Sequence, residues 1–190
     1  KIVSVVVPCF NEAERIIPVI NTLKKSPSIS EIIVVDDGST PQNAKILRLL
    51  KDVKLITHRR NQGKTAALKT GVLNAHSRIV AFVDADLTGF TVRDFESLVA
   101  PVANNTADIA ISHRGREPFY GQISQFAIAY TGERVVSRKL LTDNLDIFDV
   151  KNYLFEPIFN QRFFGRYRLA VVYLPNVGQY QQAQKRGARG

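Results

Sequence analysis

The sequence predicts an α/β fold, a mostly parallel central sheet with helices on both faces. Three observations carry this. Strand and helix patterns alternate β-α-β-α-β-α-β-α-β over residues 2–112. The strand runs are continuously apolar and β-branched, as in strands buried on both faces. Polar clusters (Asn11-Glu12, Asp36-Asp37, Asn61 to Lys64, Asp84-Asp86) recur where those runs end, which is where such sheets bind ligands.

Residues 2–7, Ile-Val-Ser-Val-Val-Val, read as the first strand, stopped by Pro8. Glu12 to Lys25 reads as a helix on the spacing of Ile16, Ile17, Val19, Ile20 and Leu23, broken by Ser26-Pro27-Ser28. Ile32 to Val35 is the second strand and runs into Asp36-Asp37-Gly38-Ser39-Thr40. Pro41 suits a first helical turn, and that helix is expected to reach about Lys51. Val53 to Thr57 is a short strand, Lys64 to Ala75 a helix, and Ile79 to Val83 the strand before Asp84. Val92 to Ala103 is a helix and Ala107 to Ser112 a fifth strand. Beyond residue 112 the pattern loosens. Gln122 to Leu141 and Tyr153 to Phe164 read as helices, and Leu169 to Leu174 as a late strand. The predicted division is a ligand-binding half to residue 112, a second half over 113–178 and a basic tail from 179 to 190, fused in one domain.

The 190 residues are enough for one domain with a real core, and 45% are apolar, which excludes a disordered chain. No apolar stretch is long enough to cross a bilayer. No leader is legible, but residue 1 is Lys, so further chain at either end is compatible with this reading. A single cysteine, Cys9, excludes an intramolecular disulfide and a cysteine-rich zinc site. A cytoplasmic chain is expected. The net charge is +9, and no acidic residue follows Glu156, while Arg162, Arg166, Arg168, Lys185, Arg186 and Arg189 do. Such an end attracts anions, a lipid surface among them. A plain solvated tail explains it equally well.

Asp84-Ala85-Asp86 is the most informative triplet. Carboxylates at i and i+2 of an extended segment share one side, about 7 Å apart. Such a pair can hold a divalent cation, and the cation a diphosphate. A solvated strand end accounts for the pair alone as well. Several other chemistries fail. Gly63-Lys64-Thr65 looks like the end of a P-loop, but His58 stands where that motif needs glycine. No G-x-G-x-x-G follows the first strand. His58, His76 and His113 lack zinc spacing. Ser39 and Ser112 lack a nucleophile elbow.

Four segments resemble a known family. V-S-V-V-V-P-C-F-N-E (3–12), I-I-V-V-D-D-G-S-T (32–40), R-N-Q-G-K-T-A-A-L-K-T-G (60–71) and V-A-F-V-D-A-D (80–86) are together similar to family 2 glycosyltransferases, nearest to polyprenyl- and dolichyl-phosphate members. The resemblance covers 2–112 strongly. It implies the GT-A fold, which is Rossmann-like with a smaller acceptor-side region, and sugar transfer from a UDP- or GDP-linked donor. It implies that Pro8, Phe10 and Asn11 wall the nucleotide, that Glu12 approaches the ribose, and that Asp37 or Asp36 reads the base. It places Gly63 and Lys64 near base and diphosphate, Asp84 and Ala85 near the ribose, and Mg²⁺ or Mn²⁺ on Asp84 and Asp86.

The later half resembles the family more loosely. T-G-E-R-V-V-S-R (131–138) and Y-L-F-E-P-I-F-N (153–160) imply that Arg134 and Glu156 face the reaction centre. The family's Glu-Asp base motif is not evident, and Asp143, Asp146, Asp149 and Glu156 are the carboxylates weighed for a base. Glu156 is the best of them. An alcohol acceptor needs a general base, whereas an anionic phosphate does not. That, with the charge on Arg114, Arg116, Arg134, Arg138 and Lys139, leans toward a lipid phosphate at the cytoplasmic membrane face. The alternatives are a sugar-1-phosphate nucleotidyltransferase and a non-catalytic basic module for nucleic acid or acidic lipid. No nucleic-acid motif appears, so no nucleic acid is expected.

Overall fold

The computed structural model describes residues 1–114, 131–150 and 154–180. A seven-stranded sheet forms its centre. The strands are β1 (Val3–Cys9), β2 (Ile29–Asp36), β3 (Lys54–Thr57), β4 (Ile79–Phe82), β6 (Ile109–His113), β7 (Arg134–Ser137) and β8 (Leu169–Tyr173), in spatial order β3-β2-β1-β4-β7-β6-β8. Strand β7 runs antiparallel to both β4 and β6, and the remaining pairs are parallel. A separate ribbon pairs β5 (Leu87–Thr88) with β9 (Gly178–Gln179).

Alternation along each strand sends side chains to two cores. Val3, Val5 and Val7 of β1 join α1 (Ala13–Leu23), α4 (Val92–Ala103) and Leu47 of α2 (Pro41–Leu47) on one face. Val6, on the other face, joins α3 (Lys64–Leu73), α5 (Arg138–Thr142), the 3₁₀ turn Leu145–Phe148 and α6 (Phe155–Phe163). Helix α3 lies so close to β1 that a Cβ at Gly71 would stand 2.2 Å from Val6 Cγ1. Helix α4 starts on a capping box between Thr91 and Asp94.

Strand β7 corrects the sequence reading. The expected helix over Gln122–Leu141 does not hold where its residues are described. Arg134–Ser137 is a strand in the middle of the sheet, and helix begins only at Arg138. Residues 122–130 lie outside the described residues. Val135 and Val136 are fully buried, one on each face. A β-branched pair completing the sheet between β4 and β6 outweighs local helical spacing. Of the expected tail, Gln179 and Tyr180 are the described residues: Gly178–Gln179 is a strand, and Gln179 and Tyr180 line the sheet's cleft.

Candidate active site

The cleft opens beyond the carboxyl ends of β1, β2 and β4, with a volume of about 720 Å³. Its loops are clipped together. After β1 the chain turns through Asn11 at positive φ. Asn11 N donates to Ser39 Oγ at 2.9 Å, and Thr40 N donates to Asn11 Oδ1 at 2.8 Å. Gly38, at φ 74, lets the loop after β3 pass over it, since a Cβ there would lie 2.4 Å from the Arg60 carbonyl carbon.

The two aspartates after β2 part ways. Asp36 is buried outside the cleft lining, and its Oδ1 accepts from Ser39 N at 3.0 Å. It shapes the turn. Asp37 lines the cleft. Its Oδ1 accepts from Gln62 N at 2.9 Å and meets His58 Nδ1 at 2.7 Å, and its Oδ2 accepts from Gly63 N at 2.7 Å. His58 Nε2 meets Thr70 Oγ1 at 2.9 Å. Asp37 therefore ties the loop after β3 to the start of α3 and fixes where Lys64 emerges.

Lys64 then reaches across the cleft. Its Nζ lies 2.8 Å from Asp84 Oδ1 and 3.2 Å from Glu156 Oε1. Burial opposes its charge, but Asp84 and Glu156 more than offset this and raise its pKa. Asp84 and Asp86 follow β4 and both line the cleft. The Gln179 amide joins them, with Nε2 2.7 Å from Asp84 Oδ2 and 3.3 Å from Asp86 Oδ1.

Behind Asp84 sits a second layer from 131–134. A Cβ on Gly132 would stand 2.4 Å from Asp84 Oδ2. Glu133 is fully buried. Its Oε2 accepts from Ser112 Oγ at 2.7 Å and pairs with Arg114 Nε at 3.1 Å, while its Oε1 has no hydrogen-bond partner among the described residues. Burial, with Asp84 nearby, pushes the Glu133 carboxyl above its usual range against the pull of Arg114.

Among the described lining residues, the carboxylates of Glu12, Asp37, Asp84, Asp86 and Glu156 outnumber the cations Lys64 and Arg15, and Arg114 adds a charge 4.0 Å from Asp84 Oδ2 from outside the lining. An acidic cleft repels a diphosphate unless a cation mediates. Among the described residues no three His, Cys, Asp or Glu side chains form a ready cage. Two carboxylates nevertheless suit Mg²⁺ or Mn²⁺. Such hard ions take oxygen donors, and Mg²⁺ commonly uses one or two carboxylates with substrate phosphates and water. The donor set fits a cation that arrives with its diphosphate.

Residues 4–147 match the Glycosyl transferase family 2 model. The chain belongs to this family. Family 2 relatives include a dodecaprenyl-phosphate galacturonate synthase of Rhizobium johnstonii, 29% identical over 72% of this chain and 44% of the relative. A dolichyl-phosphate beta-glucosyltransferase of Trichomonas vaginalis is 32% identical over 53% of this chain and 34% of the relative. The chain spans less than half the length of these two relatives. Among solved structures, glucosyl-3-phosphoglycerate synthase of Mycobacterium tuberculosis, in complex with Mn²⁺, UDP and phosphoglyceric acid, superposes with a TM-score of 0.77. The match covers 98% of this chain and 73% of that one at 21% identity. The fold is GT-A.

Within this family 2 fold, Pro8, Phe10, Asn11, Glu12, Ala85 and Glu156 line the cleft beside Asp37, Lys64, Asp84 and Asp86. Gly63 stands behind the lining as the N-cap of α3, at φ 95. Arg134 is not at the surface of the cleft. It is fully buried in β7, donates to Thr131 O and to Asn160 Oδ1 (3.2 Å), and its guanidinium lies 5.2 Å from the Phe159 ring centroid. Burial lowers its pKa to about 10, while Glu156, Glu133 and Asp84 pull the other way. The expectation that Arg134 faces the reaction centre is corrected: its strand points it into the layer under α6. The basic set that leaned toward a lipid phosphate divides: Arg114 stays at the site, paired with Glu133 at 3.1 Å and 4.0 Å from Asp84 Oδ2, whereas exposed Lys139 is paired with Asp143, and Arg116 lies outside the described residues.

Sequence reasoning missed Glu133, Gln179 and Tyr180. Glu133 sits inside the quoted T-G-E-R segment, so weighing each carboxylate of that motif would have raised it. No spacing rule links Gln179 to Asp84 across 95 residues.

Proposed function

We propose that this chain carries the donor-binding and transfer site of a metal-dependent, inverting glycosyltransferase whose acceptor is a lipid phosphate. The carrying observation is the acidic cleft at the strand tips, where Asp84 and Asp86 stand together with Lys64. Asp84 and Asp86 would hold Mg²⁺ or Mn²⁺. When bound, that ion neutralises charge developing on the departing nucleoside diphosphate. Lys64, on the same side, adds a positive charge beside the diphosphate.

In the proposed transfer an acceptor phosphate oxygen attacks the anomeric carbon from the face opposite the diphosphate. The bond to the diphosphate oxygen breaks and its electron pair leaves with that oxygen, so configuration inverts. A phosphate acceptor is already anionic, so no base must take a proton from it. That agrees with Glu156 being held against Lys64 rather than standing as an independent base. The polyprenyl- and dolichyl-phosphate names of the relatives point the same way. No helix among the described residues is long and apolar enough to cross a membrane, so contact with lipid would be peripheral for this portion of chain.

The hydrogen bonds of Asp37 favour uridine over guanosine. A carboxylate has about four acceptor positions. His58, Gln62 and Gly63 occupy three of them, with the His58 ring nitrogen donating. One position remains on Oδ2, enough for the single imide N–H of uracil and too few for the paired N1–H and N2–H of guanine.

Calorimetric titration with UDP and GDP, with and without Mn²⁺, tests the reading. UDP is expected to bind more tightly, and only with the metal at full strength. Asp86→Ala is expected to lose the metal-dependent part while keeping its melting temperature. Unchanged heats in that variant remove Asp86 from the metal site. Transfer from UDP-sugars to a polyprenyl phosphate then tests the acceptor.

A further inference from the structure

We propose that His58, oriented by Thr70, is the positioning residue that aims the Asp37 carboxylate at the nucleobase, a role that rests on the base reading given above for Asp37. His58 does not line the cleft, so it acts through its neighbour rather than on a ligand. Its side chain is 9% exposed and that of Asp37 is 3% exposed. The sheet brings the two together. Asp36 and Thr57 form the last register pair of β2 and β3, and His58 N donates to Asp36 O at 2.8 Å. The next residue at each strand end is then Asp37 on one and His58 on the other.

The hydrogen-bonding chemistry orders this row of groups. An ionised carboxylate only accepts, so His58 Nδ1 carries the hydrogen that Asp37 Oδ1 receives at 2.7 Å. In the neutral ring Nε2 is then an acceptor, and the Thr70 hydroxyl donates to it at 2.9 Å. Thr70 thereby selects the tautomer and holds the ring with its N–H toward Asp37.

Helix α3 thus grips Asp37 at two points. Gly63 N, at its N-cap, donates directly to Oδ2 at 2.7 Å. Thr70, about two turns on, acts through the ring on Oδ1. Gln62 N also donates to Oδ1, at 2.9 Å. With both His58 and Gln62 on Oδ1, that oxygen is filled and the open position is left on Oδ2 alone. The carboxylate therefore offers a ligand one acceptor in one direction. Without the ring, Oδ1 regains an open position for which water competes. The competing role for His58 is plain packing, in which the two backbone amides alone fix the carboxylate and the ring fills space between β3 and α3. The two roles differ in what a ligand senses. Losing a packing residue weakens every nucleotide alike, whereas losing a residue that aims Asp37 weakens the advantage of a base that has a hydrogen to give it.

The test is calorimetric titration, in saturating Mn²⁺, of UDP and of N3-methyl-UDP, which lacks that hydrogen, for the wild type, His58→Leu, His58→Asn and Thr70→Val. Melting temperatures check the fold. The wild type is expected to prefer UDP by about tenfold or more, the scale of one hydrogen bond to a charged group. His58→Leu is expected to bring that preference below about threefold, because the two changes act on one hydrogen-bonded network and are not additive. Asn carries an amide NH₂ near the place of Nδ1, so His58→Asn is expected to keep most of the preference. Thr70→Val removes the hydroxyl that orients the ring, is the milder change if His58→Leu does not fold, and is expected to lose about half of the preference or more. Full preference in a folded His58→Leu or Thr70→Val protein, or a loss in folded His58→Asn as large as in His58→Leu, overturns the assignment. Wild-type protein that binds the two nucleotides alike overturns the base reading of Asp37 itself and this proposal with it, and that shows before any variant is made.

Discussion

Gly132→Ala probes the site with one carbon. The new Cβ would stand 2.4 Å from Asp84 Oδ2 and 2.8 Å from its Cγ. An ordinary contact of about 3.5 Å requires the carboxylate to retreat by roughly 1 Å. Asp84 is held by Lys64 Nζ at 2.8 Å and Gln179 Nε2 at 2.7 Å, so a retreat of that size stretches at least one contact beyond hydrogen-bond range. Displacing a carboxylate proposed to hold the ion by that distance is expected to weaken binding of UDP in the presence of Mn²⁺ by about tenfold or more, the scale seen when the partners of a metal site are disturbed. The atom that gives way is the end of a side chain, so the fold is expected to survive with little change in melting temperature. Calorimetric titration of UDP with Mn²⁺, beside a thermal melt, measures both quantities. Wild-type affinity in a folded Gly132→Ala protein would refute the argument that this glycine reserves space for the Asp84 carboxylate.

Two further expectations concern buried groups at the cleft. Burial raises the Cys9 thiol to about 12, so a disulfide reagent at pH 8 is expected to leave it untouched in the folded protein and to label one thiol per chain in denaturant. Stoichiometric labelling without denaturant would contradict that. The Glu133 pKa is raised above 4.5, so the native state holds that proton more tightly than the unfolded chain does. Stability contributed at low pH is therefore lost as pH rises from about 4.5 through the folded pKa. Relative to wild type, Glu133→Gln is expected to gain melting temperature between pH 5 and pH 8. A gap that stays constant or reverses with rising pH would show that Arg114 fully compensates the buried charge.

Much of the first half and its cleft was legible as sequence because its signals are local. Strand runs, the turn at Asp36-Asp37-Gly38-Ser39, and Asp84-Ala85-Asp86 each lie within one element and the loop that follows it. The later half was not legible in the same way. Arg134 sat in a segment with helical spacing, yet Val135 and Val136 were needed between β4 and β6. Propensity is a weak prior against burial on both faces of a sheet. Residues 179 and 180 read as a polar tail because one Gln and one Tyr carry no pattern of their own.

From its sequence alone the chain determined an alternating α/β order, the gathering of polar clusters at the strand tips, and the acidic triplet as the candidate cation site. Periodicity and turn chemistry act over a few residues, and a sequence records them directly. Tertiary structure alone decided which charges meet. It drew Lys64 onto Asp84 and Glu156, sank Arg134 beneath α6, set Glu133 behind the triplet and brought Gln179 onto both aspartates. Those contacts join residues tens of positions apart, and the antiparallel insertion of β7 and the β5–β9 ribbon bring them together. No local rule encodes either arrangement.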